Sequence, residues 1–105
     1  MTRFKLVIEY DGRGFVGWQR QENGLGVQQS FEDAIFAFSG ENPTVFGAGR
    51  TDSGVHALAQ VAHFDLHEKH SVDTVRDALN FYLKDVPAVV LDASIVTSEF
   101  HSRFS

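Results

Sequence analysis

An α+β fold is predicted by three features of the sequence: four segments with strand alternation, two with apolar residues at helical spacing, and the order strand, helix, strand, strand, helix, strand. The simplest right-handed arrangement of that order is the ferredoxin-like βαββαβ sandwich, a four-stranded antiparallel sheet with two helices on one face. The other face of such a sheet is expected to be bare, and an RNA, a ligand or another domain would sit there. The 105 residues hold one compact core and leave no room for a second. Residues 1–105 are therefore read as a single domain.

From Arg3 to Tyr10 the even positions Phe4, Leu6, Ile8 and Tyr10 are apolar, the period of a half-buried strand with Tyr10 on its core side. Asp11-Gly12-Arg13-Gly14 supplies turn chemistry, and Phe15 to Gln21 continues as a polar, aromatic and glycine-rich loop that ends near Asn23-Gly24. Val27, Phe31, Ala34, Ile35 and Phe38 recur at helical spacing, and Gly40 is placed to stop the helix. Thr44 to Phe46 reads as a short strand after Pro43, and Gln60 to Leu66 as another with Ala62, Phe64 and Leu66 on one face. Ser71 is an N-cap with Asp73 in the first turn, and Val72, Val75, Leu79, Tyr82 and Leu83 form one apolar stripe ahead of Pro87. Val89, Leu91, Ala93 and Ile95 alternate through a last strand.

Composition narrows the chemistry. No Cys occurs, which excludes disulfides, zinc-thiolate sites, iron-sulfur clusters and thiol nucleophiles. No stretch has the apolar length of a signal peptide or a membrane span, so a soluble, cytoplasmic chain without membrane contact is expected. Nine Lys and Arg against fourteen Asp and Glu give a net charge of −5, which argues against tight nucleic-acid binding by this stretch in isolation. Arg3, Lys5, Arg13, Arg20 and Arg50 all lie in the first half, so a two-sided charge distribution is expected. Ten Phe in a chain of this size implies that some rings stay exposed. His63, Asp65 and His67 fall on one strand face with His70 beyond, and a polar strand face suits them better than a metal site, because nothing fixes a fourth ligand.

The segment Gly47-Ala48-Gly49-Arg50-Thr51-Asp52-Ser53-Gly54-Val55-His56 is longer than a hairpin between two strands requires. Its glycines permit backbone angles that hold Asp52 at a fixed, exposed position. Arg50 and Asp52, two apart, point the same way in an extended segment, where a guanidinium favours the ionised carboxylate. An ionised carboxylate can act as nucleophile or base. The plainer reading makes Asp52 the cap of a short helix from Ser53, with Arg50 as a surface partner. A phosphate cradle lacks the Lys-Ser/Thr that should come after its glycines. An aspartic-protease half matches Asp52-Ser53-Gly54, but two helices do not suit that almost all-β fold.

Gly49-Arg50-Thr51-Asp52-Ser53-Gly54-Val55-His56-Ala57 resembles the active-site motif of the tRNA pseudouridine synthase A family. Ile8-Glu9-Tyr10-Asp11-Gly12 with Phe15, Gly17-Trp18-Gln19-Arg20-Gln21 with Val27-Gln28, and Phe100-His101-Ser102-Arg103-Phe104-Ser105 resemble three further blocks in the same order. The resemblance implies isomerisation of uridine to pseudouridine in the anticodon stem-loop of tRNA, with no metal and no organic cofactor. It puts Asp52 at the catalytic aspartate and Arg50 at the arginine that holds the opened RNA. Thr51, Ser53 and His56 lie inside the motif, where they contact substrate or hydrogen-bond the loop backbone. Gln19 and Arg20, with Trp18, lie on the early loop within reach of phosphate or base.

Members of that family are longer two-domain homodimers, so the chain is expected to be an N-terminal, catalytic-half fragment, inactive alone. The aromatic residue that stacks on the target base and the basic group from the second domain have no counterpart in it. Ser102 stands where the family has a small Ala. The competing reading is a non-catalytic module that grips RNA or a protein through its open sheet face.

Overall fold

A computed structural model of the chain describes residues 1–11, 26–48 and 57–102. β1 (Thr2–Tyr10), α1 (Val27–Ser39), β2 (Phe46–Gly47), β3 (Ala57–Leu66), α2 (Val72–Tyr82) and β4 (Ala88–Val96) occur in the predicted order. The sheet runs β2-β3-β1-β4, and each neighbouring pair is antiparallel. The first strand therefore sits between the third and fourth, the arrangement that the βαββαβ sandwich demands.

The alternation in β1 is what commits it to this central place. Phe4, Leu6, Ile8 and Tyr10 are all buried, and Ala62, Phe64 and Leu66 of β3 join them, with the Phe4 and Phe64 rings stacked at 5.6 Å. Phe31 and Ile35 from α1 and Val75, Leu79 and Leu83 from the α2 region close over this layer. Each helix ends where its residues dictate. Gly40 takes φ 76 and its N–H donates to Phe36 O at 2.8 Å, a left-handed cap that lacks the Cβ penalty. Ser71 Oγ accepts from the Thr74 N–H at 3.1 Å, satisfying a donor that the first turn of α2 leaves open. No helix among the described residues is long and apolar enough to cross a membrane.

Three details depart from the sequence reading. Val45 is not a ladder residue, because its N–H donates to Glu32 Oε2 (2.9 Å) and its C=O accepts from Gln28 Nε2 (3.1 Å), so α1 side chains replace a strand partner. The helix of the Val72 to Leu83 stripe stops at Tyr82, short of Pro87, and Tyr82 stays exposed. In β4 the buried positions are Val90 and Ala93, while Val89, Leu91 and Ile95 are exposed. The cause for the first two is a bulge: Val7 pairs with Asp92 and Ile8 with Val90, so Leu91 has no opposite number and the alternation changes phase. Ile95 pairs with Phe4 at the sheet edge.

The face away from the helices is not bare throughout. Phe100 to Ser102 fold back over it, so His63, expected on a polar strand face, is buried beneath Phe46, Phe100, His101 and Ser102. Phe36, Phe46 and Phe81 remain exposed, as the size of the chain predicts.

Candidate functional site at the bulged end of the sheet

The antiparallel pairings bring the last residues of β1 and β2 and the first of β3 and β4 to one end of the sheet. The chain leaves this end at Asp11 toward residues 12–25, and at Ala48 toward residues 49–56, returning at Ala57 opposite Tyr10. The two sequence blocks with chemical content are thus both tethered at the same end. Asp52, Arg50, Thr51, Ser53, His56, Arg20 and Gln19 themselves lie outside the described residues, as does Trp18.

The tethers are well held. Ala48 N–H donates to Val61 O at 2.8 Å, which carries the β2 to β3 pairing one residue past Gly47. Asp11 N–H donates to Pro87 O at 2.9 Å, joining the end of β1 to the chain entering β4. Tyr10 is 3% exposed, and its hydroxyl donates to Gln60 Oε1 at 2.9 Å across the β1 to β3 pair. Asn80 of α2 pairs with Val90 through both amide atoms, Nδ2 to Val90 O at 2.9 Å and Val90 N–H to Oδ1 at 2.7 Å. Together with Gln28 and Glu32 on Val45, these amide and carboxylate bonds fix both helices to the strands that lead to the tethers. The sequence reading gave none of Glu32, Gln60 and Asn80 a role. Their signal would have been a polar side chain near an apolar stripe, which periodicity alone treats as noise.

The backbone here is irregular. Ile8 pairs with Gln60 and Tyr10 with Ala57, so β3 advances by three residues while β1 advances by two. The extra residue makes a bulge, and Ala59 within it has φ 57.

His63 lies on β3 opposite Lys5, and His67 and His70 lie beyond the last residue of that strand. His63 Nδ1 lies 2.8 Å from Ser102 Oγ and accepts from the Ser102 N–H at 3.1 Å, while Ser102 Oγ reaches Phe46 O at 3.1 Å. Burial first, then the neighbouring charges of His101 and Arg3, pushes the His63 pKa down to about 4, against a weaker opposing pull from Asp65. His67 is exposed past the end of β3, and the His70 ring packs on Phe38 at 4.7 Å. The three imidazoles do not converge, and among the described residues no group of three or more His, Asp or Glu is placed to hold a metal ion. Arg3 grips Asp65 through Nε to Oδ1 at 2.8 Å and Nη2 to Oδ2 at 2.9 Å, which lowers the Asp65 pKa. The same guanidinium donates to the carbonyls of Ser98 and Phe100, strapping the C-terminal residues onto the sheet. A cavity of about 460 Å³ opens beside this corner, lined in part by Met1, Thr44, Phe46, His63, Asp65 and His67. Its lining runs from Met1 at the start of β1 to Phe46, two residues before Ala48.

A protein family described as "tRNA pseudouridine synthase" matches residues 6–105. A tRNA pseudouridine synthase A of Rhodospirillum centenum is 58% identical over all 105 residues, and one of Maricaulis maris is 56% identical over the same span. A third, of Wolbachia pipientis, is 49% identical over 104 residues, 98% of this chain. The chain covers 43% of the first relative and 42% of each of the others, less than half the length of the curated relatives it matches.

Proposed function

The chain belongs to the tRNA pseudouridine synthase family, and on that premise we propose that it forms the catalytic-half domain of an enzyme that isomerises uridine to pseudouridine in the anticodon stem-loop of tRNA. The observation that carries the reading is the run Gly49 to Ala57, with Asp52 between Arg50 and His56, inside a family match that extends over residues 6–105.

In this reaction the bond between ribose C1′ and uracil N1 breaks, N1 takes a proton, the base turns, and C5 joins C1′ while its hydrogen leaves as a proton. Atoms and electrons balance with no oxidant, reductant or added group. Asp52 is the carboxylate that attacks, either at the sugar carbon or at the ring. Arg50 keeps that carboxylate ionised and holds the RNA from which the base has left its stack, an extrusion that costs a few kcal/mol. Thr51, Ser53 and His56 contact the substrate from the same segment, and Gln19 and Arg20 do so from residues 12–25, whose tether at Asp11 lies at the same end of the sheet. The complete enzyme is a cytoplasmic homodimer of two-domain chains, and its tRNA groove draws on more surface than this stretch. The net charge of −5 on these 105 residues is compatible with that division of labour.

The test uses the complete protein and unmodified tRNA carrying tritium at uridine C5. Formation of the C5 to C1′ bond expels the label, so tritium release with pseudouridine mapped to the anticodon stem-loop is expected. Absence of release overturns the activity, and product elsewhere in the tRNA overturns the site.

A further inference from the structure

We propose that the β3 bulge at Ala59, latched by the hydrogen bond from Tyr10 to Gln60, is a positioning device that sets the course on which residues 49–56 join the sheet. The inference rests on the reading of those residues as the catalytic segment.

Ala59 is the one non-glycine residue with positive φ among the described residues, at 57°. A left-handed conformation brings Cβ against the next carbonyl and strains an L-residue, whereas glycine takes it freely. Burial does not repay that cost, because Ala59 is exposed. The strain coincides with a change of direction. A bulge bends its strand and raises the local twist, and such devices are concentrated where a strand must re-aim the adjoining chain.

Location supports this role. Pairing of β1 with β3 is unbroken from Thr2 to Ile8 and shifts only between Ile8 and Tyr10, next to the point where residues 49–56 return at Ala57. The second neighbour of β1 bulges at nearly the same level, at Leu91. Both irregularities are therefore confined to the end of the sheet that carries the two tethers. Tyr10 holds the geometry from inside the core: its buried ring cannot swing, and its hydroxyl is bonded to Gln60, the residue immediately after Ala59. A strand end that merely filled space would need neither a left-handed alanine nor a latch.

The experiment measures tritium release by the complete protein, with kcat and KM for unmodified tRNA and the melting temperature determined for Ala59→Gly, Ala59→Asn, Ala59→Val and Tyr10→Phe. Gly and Asn accept positive φ, so both should keep kcat within about twofold, and Gly should raise the melting temperature by about 2–4 °C. Val is β-branched and expels the left-handed turn. Ala59→Val should lower kcat about tenfold or more with KM within about threefold. Tyr10→Phe keeps the ring and removes the latch, and should lower kcat about threefold to tenfold with KM unchanged. Should Ala59→Val fail to fold, the split between kcat and KM in Tyr10→Phe decides. A folded Ala59→Val or Tyr10→Phe with wild-type kcat overturns the proposal, as does a melting temperature lowered by Ala59→Gly. A wild-type protein that releases no tritium sinks the function and this inference together, whereas an active wild type with indifferent variants sinks the inference alone.

Discussion

Where β1 begins, its residues from Arg3 to Val7 meet β3 and β4 in continuous register, and Arg3 fastens Asp65 and the carbonyls of Ser98 and Phe100 over the sheet. Where β1 ends, both neighbours carry an extra residue, one of them an alanine with positive φ, and the Gln60 and Asn80 side chains join strand to strand and strand to helix. The same central strand thus serves one end in continuous register and one bulged end, where the chain leads toward residues 12–25 and 49–56. The contrast shows that irregular backbone in this fold is placed rather than scattered. A stable layer under the helices permits strain at the end where chemistry is proposed.

Variants at the two ends should separate these roles. Phe64→Ala, at the regular end and against Phe4, should lose about 3–5 kcal/mol in denaturant unfolding, and a loss below about 1 kcal/mol would show that this layer is not the anchor. Next in size is a pH effect at the same end. The unfolded His63 imidazole takes a proton near 6.5 and the folded one only near 4, so between those values the unfolded chain holds more protons. Stability contributed by the neutral ring is complete above 6.5 and drains as pH falls toward 4, by on the order of 2 kcal/mol. Unfolding of wild type and His63→Gln across that range should reveal a slope in the first that the second lacks; parallel curves would assign the ring no such part. At the bulged end Asn80→Ala leaves the N–H and C=O of Val90 without their amide partner and should cost about 1–2 kcal/mol by the same measurement. The smallest effect is Leu91→Thr on the outer side of the β4 bulge, within about 0.5 kcal/mol, because that side chain is 47% exposed.

Sequence legibility divides along the same line. The central strand, the Ser71 cap and the Gly40 stop were readable because each rests on a local rule: alternation, a hydroxyl before a helix, a glycine after one. The inward face of β4 was not. Val89, Leu91, Ala93 and Ile95 alternate, yet a bulge at Leu91 shifts the phase, and no residue type announces a bulge on a strand whose partner is far away in sequence. Val45 likewise looks like strand, but Glu32 and Gln28, distant along the chain, take its backbone groups. The buried state of His63 depends on Phe100 to Ser102 crossing the sheet, a tertiary contact that period-two alternation does not encode. For the proposed site, the glycine-rich motif and its resemblance name residues outside the described ones, while the Tyr10 to Gln60 bond and the irregular backbone at Ala59 emerged only once the strands were paired.

The central claim is that Asp52 performs the chemistry from the bulged end of the sheet. The most direct measurement compares the complete wild-type protein with Asp52→Ala on C5-tritiated, unmodified tRNA, recording both tRNA affinity and single-turnover label release. Affinity within about threefold of wild type, together with release reduced by about 10³ or more, is the predicted outcome. Label released by Asp52→Ala at the wild-type rate would contradict it.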